Sequence, residues 1–169
     1  MRFLLYPMSV VSLLLSGAIF GFFYAWVCST MWGLDQIDPN VAINAMQAMN
    51  ASVRNAVFAP AFFGTPIALL LTAGIAWRCG AARSCTWFAL AAVIYIAGGL
   101  LLTMQVNVPM NEALGTLATP LDPQKASRIW SDYSQVWQVW NQIRTGASAV
   151  ALACVGFGLV ALPRPAVAS

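Results

Sequence analysis

Four uncharged, strongly apolar stretches divide this chain, running from Phe3 to Leu34, Asn55 to Trp77, Ser84 to Asn111 and Thr145 to Pro163. An α-helix needs about 20 apolar residues to cross roughly 30 Å of hydrocarbon, and each stretch is long enough, the last only narrowly. None shows the two-residue alternation of a barrel strand, and backbone in lipid must satisfy its own hydrogen bonds. The pattern therefore predicts membrane-spanning helices at about 4–33, 55–77, 85–105 and 144–162. Two more polar segments, 35–54 and 106–143, lie between them, and each holds a helix start: Asp38-Pro39 and Asp122-Pro123 place an N-cap before a proline in the first helical turn. The expected fold is all-α, a single domain over 1–169. It is an integral membrane four-helix bundle with an external amphipathic helix and an external loop-helix extension leading into the fourth span.

Composition agrees: 60 % of residues are hydrophobic and 8 % charged, far from soluble usage. Charge adds an orientation. Arg2, Arg78, Arg83 and Arg164 fall at one set of helix ends with no acid among them, whereas all five acids sit in the two other connections. The positive-inside rule then predicts a multi-pass protein of the cell membrane with both termini cytoplasmic and the two polar segments outside. The first span is too long for a signal peptide and lacks a small-x-small cleavage pattern, so it reads as a mature helix, and 163–169 as a frayed tail. The basic residues are too scattered for a nucleic-acid surface. The bilayer is the one partner that composition implies; oligomeric state is not readable.

Histidine is absent, which removes the commonest general base, haem ligand and zinc ligand. Cys28, Cys79, Cys85 and Cys154 show no metal spacing; Cys79 and Cys85 flank a short turn, but on the reducing side of the predicted topology. Met46, Met49, Met104 and Met110 would suit only soft copper, and packing explains them more simply. No metal site is expected. Gly17 and Gly21, extended by Ser9, Ser12 and Ser16, and the Ala147, Ala151 and Gly158 face of the last helix are expected to be packing seams. Pro60 and Pro66 permit a kink that opens a cavity toward the outside.

Three polar features stand out in the external segments. After Asp38, Asn44, Gln47, Asn50, Arg54 and Asn55 project to one side of a helix, opposite Met46, Met49 and Val53. Amides orient a ligand without adding charge; the alternative is an interfacial helix lying on the leaflet. Trp130, Tyr133, Trp137, Trp140, Asn141 and Arg144 project into one arc of about 100° on the last helix. An aromatic belt with a snorkelling arginine accounts for the rings, Trp130 and Trp140 above all. It accounts less well for Asn141 and Arg144, which point to a buried polar network or a pocket for a flat anion. Between the spans, Pro109 biases Val108 away from the helical region, so Val106 to Glu112 is expected to break the helix and present Asn107 and Asn111.

Taken together, Gly17 to Trp26, Met46-Gln47-Ala48-Met49-Asn50, Asn107-Val-Pro-Met-Asn111 and Trp137-x-x-Trp140-Asn141-x-x-Arg144-Thr145 resemble the anthrone-oxygenase-like family of small four-helix membrane proteins. The resemblance implies, for the fungal members, an oxygenase that converts an anthrone to an anthraquinone with O₂ and no evident cofactor. It casts Arg144 and Asn141 as catalytic groups stabilising an anion, and Asn107, Asn111, Trp137, Trp140, Tyr133, Gln47, Asn50 and Arg54 as contacts to an aromatic or quinone-like substrate. A general base is the missing part: Glu112 is the only carboxylate in the Asn107-to-Glu112 segment, with Tyr133 or substrate-assisted proton loss as alternatives. The competing reading is a non-enzymatic binding or assembly protein for a lipid, a quinone or a partner subunit. Burial separates the two: an enzyme needs these side chains around one enclosed pocket. Transport is disfavoured because no charge lies mid-span.

Overall fold

A computed structural model describes residues 2–163. It is an all-helical membrane bundle of four long apolar helices, α1 (Phe3–Leu34), α3 (Phe58–Arg78), α4 (Ala82–Gly115) and α5 (Pro123–Val160), with a shorter α2 (Pro39–Ser52). Each long helix packs on two neighbours, in the cyclic order α1, α3, α4, α5. The start of α1, the α3–α4 turn and the end of α5 share one end of the bundle, where Leu5, Ala76 and Ala81 cluster with Leu162 and the Tyr6 hydroxyl donates to the Pro163 carbonyl. α2 caps the opposite end. Arg164 and the Arg2 side chain, which the charge argument used, lie outside what is described.

The boundaries follow from local chemistry. Asp38 accepts from the backbone N–H groups of Asn40 and Val41, and Asp122 from those of Gln124 and Lys125, so both prolines start helices as expected. α3 ends in a Schellman turn: Gly80 takes φ +73, its N–H reaches the Trp77 carbonyl, and Ala81 N–H reaches that of Ala76. Pro60 lies in the first turn of α3, where a missing N–H costs no helix bond, which leaves Pro66 as the interior proline.

Two expectations need correction. Val108 is not strand-like: it is right-handed helical (φ −63, ψ −51), and α4 runs through Pro109 unbroken. The helix is π-helical before the proline, at Ile96–Leu101 and Thr103–Asn107, with the Val108 N–H reaching the Thr103 carbonyl, and Pro109 falls in the first turn of the α-helical winding that follows. Gly17 and Gly21 are not a seam, since a Cβ at either would meet nothing within 4 Å. The α1–α3 contact uses the serines instead, with Ser12 Oγ 2.9 Å from Thr72 Oγ1. The small face of α5 does pack: a Cβ on Gly158 would lie 2.9 Å from the Phe88 ring, and one on Gly98 would lie 2.5 Å from Ala147 Cβ.

Candidate active site

At the α2 end the helices surround a half-open cavity of about 640 Å³, within the usual ~300–1,000 Å³ range of small-molecule pockets. Its walls are largely aromatic: Phe22, Phe23 and Trp26 from α1, Phe58, Phe62 and Phe63 from α3, and Trp137 from α5. The rings brace one another, with Phe22 and Phe58 centroids 4.8 Å apart and those of Trp26 and Trp137 5.1 Å apart. The polar groups of the lining are few and separated: Arg144 and Thr103 in the wall of the spans, Asn111 beside them, and Asn50, Arg54, Asn55 and Glu112 from the segments nearer α2.

Arg144 dominates the electrostatics. It is 5 % exposed, about 24 Å along α5 from Val160 at 1.5 Å per residue. Its Nη1 donates to Thr103 Oγ1 at 3.2 Å and its Nη2 to Asn141 Oδ1 at 2.7 Å, while Nε is buried without a partner. No carboxylate among the described residues is within salt-bridge reach of it. Its charge rests instead on ring faces, 4.6 Å from the Phe23 centroid and 5.2 Å from that of Trp137. Buried cations are ordinarily paired with an anion; this one faces an apolar cavity with donors to spare.

Of the two supports of Arg144, one comes from irregular helix and one from regular helix. Thr103 belongs to a π-helical turn of α4 and donates to the Gly99 carbonyl at 2.6 Å, which turns an oxygen lone pair toward the guanidinium. Asn141 does not line the cavity. It stands behind Arg144 and donates to the Phe23 carbonyl at 3.2 Å, one turn before the π-helical segment Trp26–Thr30 of α1. Because that carbonyl only accepts, the Asn141 oxygen is left to face Arg144. Asn141 therefore positions the arginine.

Asn111 is fixed by the same logic. Its Oδ1 accepts from the Trp137 indole N–H at 3.0 Å and the Tyr133 hydroxyl at 2.7 Å. An indole nitrogen only donates, so the amide oxygen must face it, and the Asn111 NH₂ is presented to the cavity it lines. Asn50 faces Tyr133, but its Nδ2 closes no hydrogen bond. Arg54 and Glu112 pair across the rim at 3.2 Å, each 60 % exposed.

Of the residues singled out in the sequence, Arg144, Asn111, Trp137, Asn50 and Arg54 line the cavity, and Asn141 and Tyr133 hold two of them in place. Three are not brought there. Gln47 donates to the Leu114 and Leu117 carbonyls and so caps the end of α4. Trp140 is half-buried and off the cavity. Asn107 is fully buried with neither amide atom bonded, and lies outside the lining. Trp130 is not part of a belt: its N–H donates to Asp35 at 3.0 Å, and Ser134 and Gln138 donate to the same carboxylate. The sequence reading passed over Asp35, although Trp130, Ser134 and Gln138 at four-residue spacing form a visible stripe of donors. It also passed over Thr103.

A family model described as anthrone oxygenase matches residues 45–154, which include α3, α4 and all the polar lining of the cavity. The chain belongs to the anthrone oxygenase family. No curated protein and no solved structure matches it. The family segment thus carries Arg144, Asn141, Asn111 and Thr103, while Phe22, Phe23 and Trp26 complete the wall from outside the matched span. Among the described residues no three His, Cys, Asp or Glu side chains gather as a metal site requires.

Proposed function

We propose that the chain is a membrane oxygenase that uses O₂ to oxidise an anthrone-like or hydroquinone-like aromatic held in this cavity. One observation carries the reading: a buried arginine with no carboxylate partner among the described residues, resting on aromatic faces and opening onto a largely apolar cavity of about 640 Å³. The arrangement suits a flat ligand whose negative charge develops during the reaction. Loss of a proton from the methylene carbon of an anthrone places charge on its carbonyl oxygen, as an enolate. Arg144 and the Asn111 NH₂ would hold that oxygen, and Trp137 and the phenylalanines would keep the rings flat.

The carbanion form of the enolate then adds O₂ at carbon, giving a peroxide anion that is protonated to the hydroperoxide. Elimination of water from the hydroperoxide leaves the second carbonyl. The balance is one anthrone and one O₂ consumed, one anthraquinone and one water formed, with the electrons for O₂ reduction supplied by the substrate. Glu112 is the carboxylate in the lining and the candidate first proton acceptor, released for that role when its pair with Arg54 opens.

The test is O₂ consumption by purified wild type and Arg144→Ala with a panel of anthrones and hydroquinones. Turnover in wild type that falls by roughly 10²–10³-fold in the variant is expected for removal of an anion-stabilising donor. Tight ligand binding with no turnover in either protein would replace the enzyme with a binding protein. Equal turnover in both would remove Arg144 from the chemistry.

A further inference from the structure

The cavity has a second boundary that the chemistry leaves unused. α3 packs closely on the first part of α4, Ala82–Tyr95, but barely touches it beyond Ile96, so the two helices part toward the α2 end. Phe63 of α3 and Met104 of α4 stand on either side of this gap, and both line the cavity while remaining 49 % and 46 % exposed. Ala59 and Val108 flank them one turn closer to α2. All four lie within helices long and apolar enough to cross a membrane, which allows the exposed apolar side of the gap to meet hydrocarbon. Over the gap, the Arg54–Glu112 ion pair joins the α2–α3 connection to α4 and places charged groups where an apolar ring system would otherwise enter from water.

From this geometry we infer that the substrate enters sideways from the bilayer, through the α3–α4 gap between Phe63 and Met104 and beneath the Arg54–Glu112 pair. This rests on the oxygenase reading for the identity of the ligand, an uncharged fused-ring aromatic ketone or phenol. Such a molecule partitions into the hydrocarbon and reaches the gap by diffusion in the leaflet, with no apolar surface crossing water. The charge that forms on deprotonation then opposes its return through the same apolar gap, and the neutral quinone product can leave by it.

The experiment uses the full-length chain in liposomes and follows quenching of its tryptophan fluorescence by two probes. Anthraquinone dissolves in the bilayer; anthraquinone-2-sulfonate carries the same rings with a fixed charge that keeps it in water. Wild type should be quenched by anthraquinone at a rate that scales with its concentration in the lipid, and only slowly by the sulfonate. Ala59→Phe and Met104→Phe, which narrow the gap, should slow association and dissociation of anthraquinone together, on the order of tenfold. Met104→Ala should speed both, which keeps the test decisive if a narrowed variant fails to fold.

Unchanged rates in the narrowed and widened variants, or a change confined to dissociation, would overturn the side entrance and leave the cavity as the binding site. Faster association of the sulfonate than of anthraquinone with wild type would also overturn it, in favour of entry from water. Absence of binding by either probe would instead remove the fused-ring ligand itself, and the entrance with it. The two failures are therefore distinguishable without any measurement of turnover.

Discussion

The two ends of the bundle are built on opposite principles. Toward the Gly80 turn, Leu69, Ala73, Phe88, Ala91, Ala92 and Val155 interlock, and a glycine, Gly158, lets one helix settle against the face of Phe88. Toward α2 the same helices loosen: α1 and α4 pass into π-helical turns, α3 and α4 separate, and the space between holds a cation and amides with unused donors. Beside that opening a second buried cluster, Met31, Ile43, Met46, Leu114 and Trp130, closes as tightly as the first, so the loosening is local to the cavity. The difference teaches that in lipid, where helix association depends on packing and hydrogen bonds rather than on exclusion of water, a cavity must be underwritten by close contact elsewhere in the same helices.

Substitutions at four positions probe this contrast. Phe88→Ala should cost about 3–5 kcal/mol of stability, as expected for a fully buried ring, while the protein that remains folded keeps its ligand affinity. Thermal unfolding in detergent, paired with probe binding, reads both; a loss of affinity at unchanged stability would mean that the two ends are not separate. Arg144→Met should do the reverse. Removing a buried charge offsets the loss of its hydrogen bonds to Thr103 and Asn141, so stability should move by no more than about 1 kcal/mol while oxygenase turnover falls by roughly 10²–10³-fold. Destabilisation as large as that of Phe88→Ala would make Arg144 a structural residue.

Smaller effects sharpen the picture within the open end. Asn111→Ala should lower kcat/KM by about tenfold, the value of one lost hydrogen bond to a charged oxygen at ~1.5 kcal/mol, with Asn111→Asp worse because a carboxylate beside the developing anion repels it. Steady-state kinetics that rank the two variants the other way would mean that Asn111 meets the substrate through its oxygen. Arg54→Ala should change stability least, by at most about 1 kcal/mol, because its pair with Glu112 is 60 % exposed on both sides. A shift of several degrees in the unfolding midpoint would mark that pair as part of the fold rather than the rim.

Much of the architecture was legible because it follows from one-dimensional rules. Uncharged length located the spans, Asp38-Pro39 and Asp122-Pro123 located two helix starts, and a 100° projection gathered Trp137, Asn141 and Arg144 on the face that the structure buries. The site was legible only in part. Projection places Gln47 and Asn50 on the same side of α2, yet one caps α4 and the other reaches the cavity wall. That outcome depends on where the end of α4 lands, which periodicity does not contain. Pro109 misled because the preference of a pre-proline residue is a bias and not a bar, and Val108 keeps ordinary right-handed helical angles after the π-helical turn. The Gly17 and Gly21 spacing shows that close approach is permitted; it cannot show that a partner is there. Asp35 was passed over because its three donors come from a helix about a hundred residues later.

The π-helical turns of α4 also set the phase of everything beyond them. Each turn takes up one residue more than an α-helical ladder would, so the azimuth of Asn111 and Glu112 is tied to the residue count between Tyr95 and Val108. Deleting one residue from one of the two turns would close that turn to regular winding with the azimuth beyond it kept, whereas a deletion in the α-helical winding would swing the tip of the helix by about 100°. In the second case Asn111 and Glu112 would leave the cavity with their chemistry intact, so a change in length is absorbed by the π-helical turns and not by the α-helical winding around them.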